Sequence, residues 1–353
     1  MKELDLRTAF VVVAAAAGIA AVVAVAVVWL GLYNVSARKG HLPGVGWVLH
    51  TTFRNSVALR APPDDVVPED LDTPAMVALG AGHFMSACAG CHGAPGITRS
   101  ATVRQMMPEP PRLDNAGEEW SAAELFWIVK NGAKMTGMPG WPARRSDDVW
   151  PVVAFLRSLG DMSAAEYATL TDSSEGTCTI CHGKGGVSDN PHVPRLDILS
   201  ADYIAHSLQS YANGSRDSGI MAQVAVGMDD ETITRLASSF DELGPVQSES
   251  AAGDALRGQQ LSASSDGSHD VPACRACHGP WPEPLNSDFP SLAGQQEPYL
   301  RRQLELWRSG NHGGGPAVEL MYKAARDLTD DQIADLAAYY SSLTPAPLNR
   351  VAD

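Results

Sequence analysis

The sequence predicts an all-α protein in which three similar small domains follow one N-terminal apolar helix. The first observation is an uncharged run over residues 10–32. The second is the pattern Cys-x-x-Cys-His, which occurs three times, and the third is an internal repeat after its second and third copies. We expect an anchor over 1–40, an acidic Pro-rich spacer over 41–75, and domains over 76–161, 162–245 and 250–345.

Length and charge narrow the class of protein. A chain of 353 residues is too long for one ordinary domain and suits two or three. The formal net charge of −15 argues against a nucleic-acid partner, because phosphate backbones need a basic face. An acidic surface either favours a basic protein partner or simply keeps the domains soluble.

The uncharged run predicts a transmembrane helix. At 1.5 Å per residue it would span about 35 Å, which is enough for a hydrocarbon core of about 30 Å. A secretory signal peptide has a shorter apolar region of about 7–15 residues, although cleavage within the Ala-rich stretch stays open. Lys2 and Arg7 precede the run and Arg38 and Lys39 follow it, so the flanking charges do not set its orientation.

The three cysteine patterns indicate covalent attachment of haem c. They are Cys88, Cys91 and His92, then Cys178, Cys181 and His182, then Cys274, Cys277 and His278. This spacing lets two thiols bond the two vinyl groups of one porphyrin while the adjacent His binds the iron. Since the patterns use all six cysteines, we expect three covalently bound haem c groups.

Other readings of the cysteines fit less well. A structural zinc site needs two converging pairs, a thioredoxin-like pair belongs in a βαβ unit, and a disulfide framework does not explain the recurring His. Covalent haem is attached outside the cytoplasm. We therefore expect a bacterial inner-membrane protein with one span, its N-terminus inside and its haem domains in the periplasm.

The second and third domains are a duplication. When His182 is aligned with His278, the spacing is preserved over some thirty residues. The matched pairs are Pro194 with Pro290, Tyr203 with Tyr299, Tyr211 with Trp307 and Gly214 with Gly310. The closing helices are predicted from a cap at Asp229 and a capping box of Thr329 and Gln332.

A second axial ligand to each iron is expected from methionine, which is typical of cytochromes c. The candidates are Met138, Met221 and Met321. Met138 is preferred to Met135 because of its Gly-Met-Pro setting. His192 and His312 are possible rivals. The other methionines, Met85, Met106, Met107, Met162 and Met228, are expected in the core, and His83 and His206 at the surface or as satisfied polar residues.

Three connecting segments have distinct compositions. Residues 61–74 carry four prolines and five acids and predict an extended, poorly packed tether. Residues 45–60 have apolar residues every fourth position, which predicts a spacer helix, or a helix on the membrane surface or on a partner protein. Residues 244–253 predict a joint between the second and third domains.

At these residues the chain resembles the class I cytochromes c. Residues 163–345 are similar to the dihaem c-four type, through CRACHG, FPSLAGQQEPYLRRQL, Met321 and LTDDQIADLAAYYSSL. The resemblance implies proximal His and distal Met on opposite haem faces. It also implies that the carbonyls of Pro194 and Pro290, with Pro111 as their counterpart in the first domain, accept hydrogen bonds from the proximal imidazoles.

The resemblance leaves three functions open. One is a membrane-tethered carrier between a respiratory donor and a terminal oxidase. Another is the cytochrome subunit of a periplasmic dehydrogenase, and the last is a dihaem-peroxidase-like enzyme, which would need an open coordination site. The first domain is similar to single cytochrome c modules beside or fused to respiratory enzymes. The expected partners are thus an oxidase, a dehydrogenase or a soluble cytochrome, and a non-enzymatic carrier is favoured.

Overall fold

The computed structural model describes residues 6–174, 176–246, 255–263, 273–280, 286, 289–315 and 317–345. Over these residues the regular elements are helices and no strand forms, which confirms the all-α prediction. The chain divides into two compact units, residues 1–54 with 101–109 and residues 55–100 with 110–353. All three Cys-x-x-Cys-His patterns lie in the second unit.

Two helices precede the first pattern. Helix α1 (Leu6–Trp29) is long and apolar enough to cross a membrane by length and composition. Helix α2 (Val45–Arg60) covers the segment predicted as helical, and Val57 near its end is fully buried.

In the first domain, the helix that leads into the Cys-x-x-Cys-His pattern packs on the closing helix. Its helices are α3 (Pro74–Ala87), α4 (Ala89–His92), α5 (Ala116–Glu119), α6 (Ala122–Asn131) and α7 (Trp150–Ser158). The Thr73 side chain caps α3, with Pro74 in its first turn, where the missing N–H is not needed. Gly80 allows α3 and α7 to touch, because a Cβ there would lie 1.9 Å from the Pro151 carbonyl oxygen. Phe84 and Phe155 form the core between them, with ring centroids 4.9 Å apart.

The second and third domains repeat one set of helices, as the duplication predicts. They are α8 (Ala164–Leu170), α9 (Thr179–His182), α10 (Ala201–Ala212), α11 (Gly219–Ala225), α12 (Asp230–Asp241), α13 (Ala255–Ala263), α14 (Arg275–His278), α15 (Glu297–Arg308), α16 (Val318–Ala325) and α17 (Asp330–Ser342). Helices α10 and α15 both contain 12 residues. The predicted cap of α12 by Asp229 and the capping box of Thr329 and Gln332 on α17 are confirmed.

The acidic Pro-rich segment is packed, and the prediction of a poorly packed tether is wrong. Leu71 is 3% exposed in the core of the first domain. Asp72 accepts a hydrogen bond from Arg157 Nε on α7 at 3.0 Å, and Asp70 Oδ2 lies 3.3 Å from His192 Nε2. Two of the five carboxylates that suggested a solvated chain, Asp70 and Asp72, therefore lie beside basic residues of the folded unit. Most of the predicted joint over 244–253 lies outside the described residues.

Two further expectations are wrong. Met107 is 47% exposed rather than in the core. His83 is neither at the surface nor satisfied: it is 4% exposed, and its Nδ1 has no hydrogen-bond partner among the described residues. It lies on the buried side of α3, where its ring contacts Trp141 with centroids 4.7 Å apart.

Candidate haem sites

Each Cys-x-x-Cys-His pattern forms one helical turn that ends at a glycine. The turns are α4, α9 and α14, and the residues after them are Gly93, Gly183 and Gly279. These glycines have φ angles of 73°, 76° and 72°. Only glycine adopts this region without strain, so it ends the turn directly after the His. The turn brings the two Cys side chains and the His of each pattern close together.

The cysteines are free thiols rather than disulfides, with Cys91 exposed and the other five half-buried. All six are free in the structure. Burial raises the pKa of Cys88 to about 12, and those of Cys181 and Cys274 to about 11. Among the described residues, no group of three or more His, Cys, Asp or Glu side chains is arranged to hold a metal ion.

The three pattern histidines share one hydrogen-bond arrangement. In each, imidazole Nδ1 donates to the carbonyl oxygen of the expected proline. The distances are 2.8 Å for His92 with Pro111, 3.0 Å for His182 with Pro194 and 3.0 Å for His278 with Pro290. Because a carbonyl can only accept, Nδ1 carries the proton and Nε2 keeps a free lone pair. Burial lowers the pKa of all three, so the imidazoles are neutral, which is the form that binds iron.

The third site brings its predicted axial pair together. His278 Nε2 lies 3.5 Å from the sulfur of Met321 on α16. Both side chains line a cavity of about 210 Å³ together with Cys274 and Cys277. Tyr340 also lines this cavity, and its hydroxyl is buried without a hydrogen-bond partner among the described residues.

The second site opens on a larger cavity. Cys178, Cys181, His182 and Met221 line a space of about 590 Å³. Met221 lies in the first turn of α11, where its backbone N–H donates to the side chain of Ser218, the N-cap residue, at 3.2 Å. The cavity wall also includes Arg302 of the third domain.

In the first site, Met138 is more buried than Met135. Met138 is half-buried, and its loop is fixed by a hydrogen bond from the Ala133 N–H to its carbonyl at 3.2 Å. Its own N–H donates to Thr136 Oγ1 at 3.0 Å. Met135 is 90% exposed and has a φ of 63°.

The two rival histidines are engaged elsewhere. His192 Nε2 faces Asp70, as described above. His312 is 6% exposed and stacks on Trp307 with ring centroids 3.7 Å apart. Its Nε2 lies 3.0 Å from Gln303 Oε1 and 3.3 Å from an Arg216 nitrogen.

Comparison with known proteins agrees with this geometry. Residues 75–156 match the family model described as cytochrome c oxidase, cbb3-type, subunit III, and residues 255–344 match the model for cytochrome c. The chain is 30% identical over 200 residues to a thiosulfate dehydrogenase electron acceptor of Thiomonas intermedia, an alignment covering 55% of this chain and 91% of that protein. The chain belongs to the c-type cytochromes.

Other relatives of this cytochrome are also c-type cytochromes. It is 34% identical over 200 residues to cytochrome c-552 of Acidithiobacillus ferridurans, which covers 54% of this chain and 84% of the relative. It is 24% identical over 196 residues to cytochrome c4 of Pseudomonas aeruginosa, which covers 54% of this chain and 98% of the relative. The predicted resemblance to class I cytochromes and to the c-four type is confirmed.

The residues of the cytochrome fit covalent haem c. Two thiols, a neutral imidazole and a thioether line one cavity in the second and third sites, and Tyr340, whose hydroxyl has no partner among the described residues, also lines the third cavity. Haem, when bound, supplies an iron that gains and loses one electron. The chain's own groups would hold it: the two thiols by covalent bonds, the His through Nε2 and the methionine through its sulfur.

The contacts that join the second and third domains were not predicted from the sequence. Arg195 and Asp197, 2% and 0% exposed, form a buried ion pair at 2.7 Å. The backbone N–H of Arg195 donates to Gln295 Oε1 of the third domain at 2.8 Å. The only signal was that Leu196-Asp197-Ile198-Leu199 replaces the Leu-Ala-Gly-Gln of the third domain, and the carboxylate explains that departure.

Proposed function

We propose that this c-type cytochrome is a membrane-anchored, three-haem electron carrier that works in the periplasm between a respiratory donor and a terminal oxidase. The observation that carries the proposal is one arrangement built three times: a Cys-x-x-Cys-His turn whose imidazole donates to a proline carbonyl. A carrier needs a site that gains and loses one electron, and three such sites in tandem would let electrons pass along the chain.

Six-coordinate iron at every site favours transfer over catalysis. We assign His92 with Met138, His182 with Met221, and His278 with Met321 as the axial pairs. An iron held on both faces has no open position for peroxide or another substrate, and little has to move when its charge changes. The thioether ligands favour the high potentials that suit donation to an oxidase.

The anchor places these sites at the membrane. Helix α1 has the length and composition of a single span, and attachment of haem outside the cytoplasm requires the domains to be periplasmic. We infer that the N-terminus stays inside and that residues 10–32 hold the carrier at the bacterial inner membrane. Its donor and acceptor then meet it at the membrane.

The comparisons support an assignment of the electron donor and the electron acceptor. The first domain matches a model named for an oxidase subunit, which supports an oxidase as the acceptor for that domain. The relatives named as electron acceptors of thiosulfate dehydrogenase support a periplasmic dehydrogenase of that type as donor. A second candidate function, a cytochrome subunit held within such a dehydrogenase complex, is favoured by the same relatives.

Mild-detergent purification from native membranes distinguishes the two functions. A carrier should elute with an oxidase, or alone, and should be reduced by added dehydrogenase and substrate and reoxidised by oxidase-containing membranes. A stoichiometric dehydrogenase that stays bound through gel filtration would favour the subunit. Three haems per chain should be found by the pyridine haemochrome assay, and a value of two would contradict the proposal.

A further inference from the structure

Asp148 of the first domain reaches the methionine-bearing helix of the second. It lies just before α7, with 7% of its surface exposed. One carboxylate oxygen accepts a hydrogen bond from the backbone N–H of Gly219 at 2.8 Å and from the Ser218 hydroxyl at 3.1 Å. These two residues begin α11. Ser218 also accepts from the N–H of Met221, so Asp148 is two hydrogen bonds away from that methionine.

The other oxygen of Asp148 holds the methionine loop of the first domain. It accepts a hydrogen bond from Trp141 Nε1 at 2.9 Å. Trp141 follows Met138 by three residues, and its backbone N–H is tied to the Lys130 carbonyl at 2.9 Å. The Trp141 ring packs directly on Gly219, because a Cβ at that glycine would lie 2.2 Å from ring atoms.

A second carboxylate, from the second domain, accepts hydrogen bonds from the first domain. Asp217 of the second domain accepts hydrogen bonds from the backbone N–H groups of Arg144 and Arg145, at 3.0 Å and 2.7 Å. The segment after Met138 and the segment before Met221 therefore each contribute a carboxylate that accepts hydrogen bonds from the other segment. Each buried polar group in this exchange has a partner, which rigidifies both segments.

We propose that Asp148 is a positioning residue for two iron ligands at once, Met138 of the first site and Met221 of the second. The proposal rests on the proposed function, since it takes both methionines as ligands. Replacing Asp148 leaves the Trp141 indole and the start of α11 without their acceptor, so both sulfurs lose the support that fixes their distance from the iron. Ligation at two sites is then coupled through one side chain.

The third site provides an internal control. Its methionine helix, α16, has Ala317 at the N-cap position, where the side chain cannot accept a hydrogen bond. None of the described contacts of Asp148 reaches α16. A general loss of stability would release all three sulfur ligands together. Loss of positioning would release only the first two.

The test follows the three methionine ligands separately in the purified full-length holoprotein. The ligand methyl groups give resolved, ring-current-shifted NMR signals in the reduced state, and Met138→Ala, Met221→Ala and Met321→Ala assign them. In Asp148→Ala we expect the first two signals to broaden or vanish on heating well before the third. Trp141→Phe should affect mainly the first, and Ser218→Ala mainly the second.

The controls separate the possible failures. Asp229→Ala removes an exposed cap of α12, and should leave the order of signal loss as in the parent protein. If Asp148→Ala keeps all three signals, or loses them together, the positioning role is overturned. The single-partner variants decide the matter if Asp148→Ala does not fold. If Met138→Ala or Met221→Ala removes no signal, the ligand assignment in the proposed function fails instead.

Discussion

His278 Nε2 and the Met321 sulfur face each other at 3.5 Å across the cavity of the third site. They come from helices α14 and α16, which are far apart in sequence, and both line the same cavity. Met221 lies on the equivalent helix of the second domain, α11, and lines the second cavity. Ligand choice can therefore be tested one methionine at a time.

We predict that Met321→Ala removes one of three sulfur-ligated haem signatures. The far-red absorption band of the oxidised protein should fall by about one third, because each haem contributes one such iron, and one of the three midpoint potentials should drop, since a thioether raises the potential. Spectroelectrochemical titration measures both. Met228→Leu is the matched control, because the third domain has Leu328 at that position. An unchanged band in Met321→Ala would refute this assignment.

Much of the fold followed from local signals. Helix caps, such as Asp229 and the box of Thr329 with Gln332, depend on residues only three apart, so the sequence displays them. The histidine-to-proline hydrogen bonds followed from the resemblance. The contacts that failed prediction join residues far apart: Asp72 with Arg157, and Asp148 with Gly219. The composition near Asp72 suggested a solvated chain. No local sequence pattern predicts that a carboxylate will accept a hydrogen bond from another domain.

The buried pair of Arg195 and Asp197 should stabilise the joint between the second and third domains. Asp197→Ala leaves the guanidinium uncompensated, and we expect it to lower the free energy of unfolding by about 3–5 kcal/mol. The third domain has Ser291 and Ala293 at the matching positions. The double variant Arg195→Ser with Asp197→Ala should therefore recover most of the loss. Chemical denaturation followed by far-UV circular dichroism measures it, and a double variant as unstable as the single one would contradict this account.

The anchor can be separated from the haem domains. Deleting residues 1–40 and supplying a cleavable secretion signal should give a soluble protein with its full haem content, because all three patterns lie in the second compact unit. Ultracentrifugation and haem per chain are the measurements. The full-length chain, prepared in parallel, should sediment with the membranes. Truncated protein that still sediments would indicate a second attachment, with helix α2 as the first segment to delete.

His83 should make stability depend on pH. Burial lowers its pKa from 6.5 to about 4, so the folded protein keeps the imidazole neutral while the unfolded chain takes up a proton. Its folded-state pKa lies below the unfolded value. Its stabilising effect is therefore complete above pH 6.5 and declines as the pH falls toward 4. Between pH 6.5 and 5 the decline amounts to about 2 kcal/mol, at about 1.4 kcal/mol per pH unit.

His83→Phe isolates that contribution. Phenylalanine keeps an aromatic ring against Trp141 and removes the titrating group and the unpaired Nδ1. Unfolding free energies at pH 7 and pH 5 should differ less in the variant than in the parent, by about 2 kcal/mol. His206→Phe, at a histidine outside the core, should retain the parent's slope. Equal slopes in His83→Phe and the parent would mean that His83 accepts a proton without unfolding, and that its burial is not what keeps it neutral.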